Sequence, residues 1–251
     1  MTRIQLCGTL AVTIADRRIE EELPGRQGRL VFAYLVSNRT RPTSRSSLIE
    51  ALWPSQVPLA ADATLSGILS RLRRVLGAGV LDGKSQLRIV LPDNAWIDVE
   101  VAVDAVHRAE AAVALGEWTR AWAPARIALH VSTREFMHGF DSPWIDERRR
   151  YFHALRLSAL ECVAAVGLGL DGPELAATER SARTLIQQEP FRETGYRLLM
   201  QALARRDNVA EAMRVYEGLR RLLREELGLA PAAATQELHK QLLKTTTIGA
   251  H

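Results

Sequence analysis

Residues 62–77 read DATLSGILSRLRRVLG, a spacing that predicts an amphipathic helix whose outer face carries arginines. Four leucines, at positions 65, 69, 72 and 76, fall within roughly 60° of one another when each residue turns the helix by about 100°. The opposite face has few bulky side chains, so the backbone could approach a partner closely while the arginines reach outward. The residues of this outer face are Thr64, Gly67, Ser70, Arg71 and Arg74. We therefore predict a recognition helix that enters the major groove of double-stranded DNA.

An ordinary amphipathic helix is the alternative interpretation of the same residues. In that case the arginines are simply solvated, and Gly67 only weakens the helix by about 1 kcal/mol relative to alanine. The flanking segments favour the recognition helix. Residues 44–54 (SRSSLIEALWP) predict a second short helix that Pro54 ends, and residues 26–37 (RQGRLVFAYLVS) predict a third. Two helices joined by a connector and preceded by a third are typical of a helix-turn-helix variant.

Short strands are predicted on both sides of these three helices. Residues 3–7 and 10–14 alternate apolar and polar side chains, which indicates an antiparallel pair near the start of the chain. Residues 81–97 predict two further extended segments, with tight turns at 82–85 and 91–94. A hairpin directly behind a recognition helix is a wing. Its basic residues, Lys84 and Arg88, are then placed to touch phosphates or the adjacent minor groove.

From about residue 104 onward the pattern changes to helices with short connectors. The predicted helices span residues 104–115, 118–131, 143–167, 173–188, 191–206, 208–227 and 232–243. One pair has the large, small and aromatic residues of a tetratricopeptide repeat at the right spacing. These residues are Tyr196, Leu199, Leu203, Ala212 and Tyr216. Such an array is either a docking or ligand-gated surface or a module for dimerisation and stability.

The predicted fold class is therefore mainly α with a small β component. A winged helix-turn-helix over residues 1–100 precedes an all-α, tetratricopeptide-like domain over residues 101–244, and residues 245–251 form a disordered tail. The content of 47% hydrophobic residues in 251 is ample for two cores. Residues 1–100 hold 13 basic and 10 acidic groups, and the rest of the chain holds 20 and 19. The excess of basic over acidic residues thus lies mainly in the first hundred residues, which favours this part of the chain as the one that binds an acidic polymer.

Residue types that carry enzyme chemistry do not form a recognisable group in this sequence. The six histidines lack zinc-ligand spacing, and a phosphate-binding GxxxxGK[ST] loop is missing. The charged run DERRR at residues 146–150 is interpreted as a solvated helix face rather than a phosphate-binding patch. Cys7 and Cys162, far apart and flanked by apolar residues, are expected to be buried free thiols. We predict a non-enzymatic protein without cofactor or metal. With no signal peptide or run of 18 apolar residues, it is expected to be cytoplasmic with no membrane contact.

Several motifs in the same order resemble the Streptomyces antibiotic regulatory protein family. The resemblance covers residues 4 to about 243. The motifs are RQGRLVFAYLV (26–36), SRSSLIEALWP (44–54), LSGILSRLRRVLG (65–77), SPWIDERRR (142–150), PFRETGYRLLMQAL (190–203), AEAMRVYEGLRRLL (210–223) and EELGLAP (225–231). Proteins of this kind join an OmpR-type winged helix to a bacterial transcriptional activator domain of tetratricopeptide-like helices.

The resemblance implies a transcriptional activator that controls a biosynthetic gene cluster. Paired protomers, a homodimer on DNA, bind direct repeats near a promoter and recruit RNA polymerase holoenzyme. By position, the DNA-facing part of the recognition helix corresponds to Ser70, Arg71, Arg73 and Arg74, and Lys84 falls in the wing. The connector 54–61 corresponds to the loop that such activators turn toward polymerase. A ligand-sensing or scaffold protein, whose helical domain binds a small molecule or a protein partner, is the alternative.

Overall fold

The computed structural model describes the backbone of residues 1–248 and the side chains of residues 1–244. Within them the chain divides into two compact units. Unit 1 consists of Met1–Val103 with Val131–Ala154, and unit 2 consists of Asp104–His130 with the chain from Leu155 onward. The predicted limits of the winged-helix domain (residues 1–100) and of the helical domain (residues 101–244) stay predictions. The return of residues 131–154 to the first unit was not expected from the sequence.

The part of unit 1 before residue 98 contains small sheets and three short helices, in the order expected of a winged helix. Its strands are β1 (Arg3–Gln5), β2 (Ala11–Ile14), β3 (Arg17–Arg18), β4 (Thr43–Ser44), β5 (Leu81–Asp82), β6 (Gln86–Ile89) and β7 (Trp96–Ile97). Its helices are α1 (Gly25–Ser37), α2 (Arg45–Leu52) and α3 (Ala61–Leu76). The predicted ranges of these helices agree within one residue with the observed bounds, except that α2 ends at Leu52, two residues before its predicted end at Pro54.

The strands form one sheet in the order β3-β2-β1-β7 and another in the order β4-β6-β5. In the first, β1 pairs antiparallel with β2 and parallel with β7, so Ile4 lies opposite both Val12 and Ile97. All three side chains are buried. In the second, β5 and β6 form the predicted hairpin, and β4 adds a strand just before α2. The hairpin therefore lies beside the start of α2.

Local sequence explains the start of α2 and the burial of α3. The Ser44 hydroxyl accepts a hydrogen bond from the Ser47 backbone N–H at 3.0 Å, which satisfies one of the unpaired donors at a helix start. The buried residues of α3 form the predicted apolar stripe with two additions. They are Ala61, Leu65, Ile68, Leu69, Leu72 and Leu76. Packing on this stripe holds α3 against α1 and α2 and leaves its other face to solvent.

A buried carboxylate joins the first sheet to the helix that follows it. Asp98 is fully buried, and its two oxygens accept hydrogen bonds from the backbone N–H groups of Leu6 and Cys7, each at 2.9 Å. One of them also accepts from the Val99 N–H at the start of the next helix. Burial raises the pKa of the Asp98 carboxyl, although these donors oppose the shift. The same desolvation raises the pKa of the Cys7 thiol, and Cys7 and Cys162 are both buried and free, as predicted.

Residues 131–154 pack into unit 1 through backbone and aromatic contacts. Met137 N–H donates to the Leu6 carbonyl at 2.8 Å, and Cys7 forms an isolated antiparallel bridge with Phe136. The Phe136 ring stacks on Phe152 and meets Trp144 edge-on, with centroids 5.6 and 5.9 Å away. This segment therefore completes the core of the N-terminal unit rather than that of the helical array.

The interpretation of the run 146–150 as a solvated face is wrong for two of its arginines. Arg148 donates to the Ser37 carbonyl at 3.2 Å and to the Asn38 side chain at 3.0 Å. Arg149 donates to the carbonyl oxygens of Phe136, Met137 and Phe140, at 3.1, 3.3 and 2.8 Å. Sequence periodicity could not show this, because the acceptors lie in a loop and in α1 rather than on the helix itself.

Replacing Arg149 with alanine is expected to lower the free energy of unfolding of unit 1 by about 2 to 3 kcal/mol. The change removes charge-assisted hydrogen bonds to three partly buried carbonyls and leaves them without these donors. Urea unfolding followed by circular dichroism measures the loss. The matched control is Arg150→Ala at the exposed neighbouring position, which should shift unfolding by less than about 0.5 kcal/mol. Equal effects of the two variants would contradict the role given to Arg149.

The remaining elements are helices, and most follow the predicted order. They are α4 (Asp98–Ala114), α5 (Trp118–Ser132), α6 (Pro143–Leu170), a 3-10 turn (Gly172–Glu174), α7 (Leu175–Gln188), α8 (Glu193–Arg205), α9 (Val209–Leu227) and α10 (Ala233–Ile248). Helix α4 begins six residues before its predicted start. Its first residue, Asp98, accepts hydrogen bonds from the N–H groups of Leu6 and Cys7, which follow β1, and from the Val99 N–H of the helix itself. Helix α10 enters the predicted tail 245–251, since lengthening an existing helix is easier than starting one. Residues 249–251 lie outside the described part of the chain.

One core cluster of unit 2 is formed by α6 to α9, and smaller clusters join α4, α5 and α6. The five residues that suggested a tetratricopeptide repeat are all buried, from Ala212 at 0% exposure to Tyr196 and Tyr216 at 7%. Helices α7 and α8, and then α8 and α9, are neighbouring pairs in this core. Helix α9 ends at Gly228, whose φ of +68° is the left-handed conformation that terminates helices. The predicted helical array is thus present.

Helix α6 is the one described helix that could cross a membrane by length and composition. Although it has no uninterrupted run of 18 apolar residues, it spans 28 residues and has an 18-residue window of mean hydropathy 1.4. Over half of that window, 56%, is buried inside the protein. Its apolar side chains therefore have partners in the core, and the helix gives little support for a membrane span.

Candidate nucleic-acid interface

The outer face of α3 is a continuous exposed surface. Each residue predicted for it is exposed: Thr64, Gly67, Ser70, Arg71 and Arg74. An added Cβ at Gly67 would meet no atom within 4 Å, so no contact inside the protein requires glycine there. The strip of small side chains along α3 is therefore open, and it is flanked by the two long arginines.

The three arginines of α3 differ in how they are held. The Arg71 Nε lies 3.3 Å from the Gly67 carbonyl oxygen of its own helix. The Arg74 guanidinium has no hydrogen-bond or ion-pair partner among the described residues. Arg73 is half-buried, and its guanidinium donates to the Gly83 carbonyl at 2.5 Å. Arg74 is thus available to a ligand, whereas Arg73 ties the helix to the turn of the hairpin.

The start of α3 is fixed by an arginine that the sequence analysis did not single out. Arg45, at the first turn of α2, donates from Nε and Nη2 to one Asp62 carboxylate oxygen, at 2.9 and 2.8 Å. Its Nη2 also reaches the Ser66 hydroxyl at 2.8 Å. An acidic residue in the first turn of a helix is a common stabilising feature, and it was the signal that could have pointed to this pair. The arginines of α3 itself lie in the second half of the helix, away from Asp62.

The β5–β6 hairpin presents its two predicted basic residues to solvent. Lys84 lies in the turn and Arg88 on β6, opposite Asp82, and both are exposed. Gly83 has a φ of +88°, and a Cβ there would lie 1.7 Å from the Gln86 carbonyl oxygen. The turn therefore requires glycine for its conformation and for the close approach of the two strands.

Replacing Gly83 with alanine is expected to distort the hairpin turn and lower the free energy of unfolding of unit 1 by about 1 to 3 kcal/mol. The positive φ strains an alanine at this position, and the added Cβ overlaps the Gln86 carbonyl, so both effects lower the stability. Thermal unfolding measures the loss. The control is Gly79→Ala, because Gly79 has a φ of +80° but open space around an added Cβ. This variant should lose only the stability that the positive φ costs an alanine. A larger loss at Gly79 would show that backbone overlap is not decisive at Gly83.

The connector between α2 and α3 carries apolar side chains in solvent. Leu59 is fully exposed and Val57 is 54% exposed. Proline residues at positions 54 and 58 restrict the backbone around them. We call residues 54–60 the α2–α3 loop. Val57 and Leu59 thus expose apolar side chains two positions apart in one loop.

Comparison with known proteins places this architecture in a family. A family model described as "Bacterial transcriptional activator domain" matches residues 97–243, more than half of the chain. The chain belongs to the bacterial transcriptional activator domain family. The resemblance to the Streptomyces antibiotic regulatory protein family is thereby confirmed.

Relatives of this family member are named as regulators. It is 34% identical over 220 residues to the regulatory protein AfsR of Streptomyces coelicolor, which covers 87% of the chain and 22% of AfsR. It is 26% identical over 259 residues to the transcriptional regulatory protein EmbR of Mycobacterium tuberculosis, which covers 98% of the chain and 64% of EmbR. The chain therefore spans about a fifth of one relative and just under two thirds of the other.

A solved structure confirms the fold of this family member. Mycobacterium tuberculosis EmbR, in complex with a low-affinity phosphopeptide, superimposes with a TM-score of 0.83 at 24% identity. The match covers 97% of the chain and 65% of the EmbR chain. The predicted fold class, a winged helix followed by tetratricopeptide-like helices, is confirmed. AfsR is named a regulatory protein and EmbR a transcriptional regulatory protein, and neither name describes an enzyme.

Proposed function

We propose that the chain is a sequence-specific DNA-binding transcriptional activator in the cytoplasm. In this proposal α3 enters the major groove, the hairpin acts as a wing, and a homodimer on DNA recognises direct repeats near a promoter. The α2–α3 loop then recruits RNA polymerase holoenzyme to a biosynthetic gene cluster. The observation that carries the proposal is the exposed α3 face, where Arg71 and Arg74 flank a strip without bulky side chains.

The dimensions of α3 support this role. Its 16 residues correspond to a rod about 24 Å long, and a helix fits the major groove, which is about 12 Å wide. Ser70, Arg71 and Arg74 would meet base edges or phosphates, while Thr64 and Gly67 allow close approach. Lys84 and Arg88 would contact the backbone beside the groove. Arg73 contributes by holding the wing turn through the Gly83 carbonyl.

Footprinting on the DNA upstream of the neighbouring genes, combined with a salt titration, tests the proposal. We expect protection of a pair of repeats about one helical turn apart, with affinity that falls steeply as salt is raised. Smooth, sequence-independent binding, or no binding at low salt, would contradict it. The ligand-sensing or scaffold protein would then be the favoured interpretation.

Replacing Gly67 with alanine is expected to stabilise the protein while weakening its binding to DNA. Alanine favours the helix by about 1 kcal/mol, and the new methyl group has open space inside the protein. The same methyl group would stand between the α3 backbone and a base pair, with a loss of affinity of about fivefold or more. Thermal unfolding and gel shifts measure the two effects. Ser66→Ala, on the side of α3 that bonds Arg45, is the control for affinity. Unchanged affinity in Gly67→Ala would exclude close approach at this position.

A further inference from the structure

A cavity of about 390 Å³ lies among the helices of unit 2. It opens between α5, α6, α8 and α10, and its walls are mainly apolar. The principal apolar side chains are Trp118, Leu168, Leu198 and Leu242. Its volume is within the range of about 300 to 1,000 Å³ that small-molecule sites occupy.

One wall of the cavity is an indole held in a fixed place. Trp118 lies against Gly169 of α6 so closely that a Cβ on Gly169 would be 2.1 Å from the indole Cδ2. Only glycine allows the ring to rest on the helix backbone in this way. Trp118 is half-buried, so part of the indole remains available to line the cavity. A flat, rigid aromatic surface favours flat apolar ligands.

The polar groups of the cavity come from one helix and lie one turn apart. Gln201 and Arg205 of α8 both line it. The Arg205 Nη1 donates to the Leu168 carbonyl at 2.5 Å, which fixes the guanidinium at the rim. The Asp171 carboxylate is 3.9 Å from the same nitrogen, a solvent-exposed ion pair beyond hydrogen-bond distance. Because a guanidinium has five N–H donors, others are left for an acceptor in the cavity.

We propose that this cavity binds a flat apolar molecule that carries one anionic group. The apolar part lies between Trp118 and the leucines, and the anion accepts hydrogen bonds from Arg205, with Gln201 beside it. The site belongs to the helical unit and does not depend on the DNA-binding proposal. A dry packing defect would be lined by apolar atoms alone, whereas this cavity has a positioned cation at its opening.

Two fluorescent probes that share a ring system test the proposal on the full chain. They are 8-anilinonaphthalene-1-sulfonate, which is anionic, and N-phenyl-1-naphthylamine, which lacks the sulfonate. We expect one site per chain and a tighter affinity for the anionic probe by about tenfold. Equal affinity for both probes, or several weak sites, would overturn the proposal.

Variants assign the binding to this cavity. Arg205→Gln should remove the preference for the anionic probe and leave the neutral probe unchanged, while Arg206→Gln, whose guanidinium pairs with Glu179, should change neither. Ala204→Trp should fill the cavity and lower the affinity for both probes by at least about tenfold. If Ala204→Trp does not unfold cooperatively, Ala165→Leu is used as the filled variant in its place. Near-ultraviolet circular dichroism checks that the core is intact. Unaltered binding in Arg205→Gln and in the filled variant would overturn the assignment.

Discussion

The double variant Arg71→Ala, Arg74→Ala is expected to bind a cognate DNA repeat about a hundredfold or more weakly than the natural chain. Both side chains are exposed on α3, and Arg74 has no partner among the described residues to keep it from a ligand. An arginine that forms two hydrogen bonds with guanine contributes about 1 to 3 kcal/mol of discrimination. Gel shifts at fixed salt measure the loss, and the single variants divide it between the two residues.

The salt dependence of binding distinguishes base contacts from phosphate contacts. If an arginine meets a phosphate, its removal should weaken binding to all sequences and reduce the slope of log affinity against log salt by about one. If it meets a base, specificity at one position should relax while the slope changes little.

A charge-matched control separates contact from net charge. Arg220→Ala, Arg221→Ala also removes two exposed arginines, but from α9 in the helical unit. Unfolding should be unchanged in both double variants, since all four side chains are exposed. An equal loss of affinity in both would contradict a specific role for α3, and an unchanged affinity in the α3 variant would exclude it as the recognition helix.

Local periodicity predicted most of the helices and the outer face of α3. The leucine spacing fixes which side of α3 is buried, and therefore which residues face solvent. The predicted range 62–77 differs by one residue at each end from α3 (Ala61–Leu76). The outer face follows from the same rule, because any residue opposite a buried stripe has only solvent to meet.

Features that depend on distant parts of the chain were missed for a common reason. Strand β7 lies in the range 81–97 that was predicted to contain extended segments, but its parallel pairing with β1, more than ninety positions earlier, was not predicted. The carbonyls that bind Arg149 lie in a loop whose path depends on its bridge to Cys7. The Arg73 bond to the Gly83 carbonyl likewise requires the hairpin to fold back on α3. Spacing along the sequence carries no signal for any of these contacts.

Replacing Leu59 with serine is expected to lower activation of transcription strongly while leaving DNA binding unchanged. The Leu59 side chain is fully exposed in the α2–α3 loop, so its removal takes no contact from the core. A leucine side chain that becomes fully buried in a protein contact contributes about 1.5 to 3 kcal/mol. Transcription from a cognate promoter with purified polymerase holoenzyme should fall by about tenfold or more, with gel-shift affinity within about twofold of the natural chain.

The control for Leu59 is Leu115→Ser, at a side chain that is 73% exposed in the helical unit. It makes the same chemical change at a comparably exposed position, and transcription should stay at the natural level. Parallel losses of DNA affinity and transcription in Leu59→Ser would mean that the loop acts by supporting α3 rather than by touching polymerase. Full activation in that variant would mean that Leu59 is not part of the contact. Because the core does not use this side chain, a loss of transcription with unchanged DNA affinity points to a contact that Leu59 makes outside the protein.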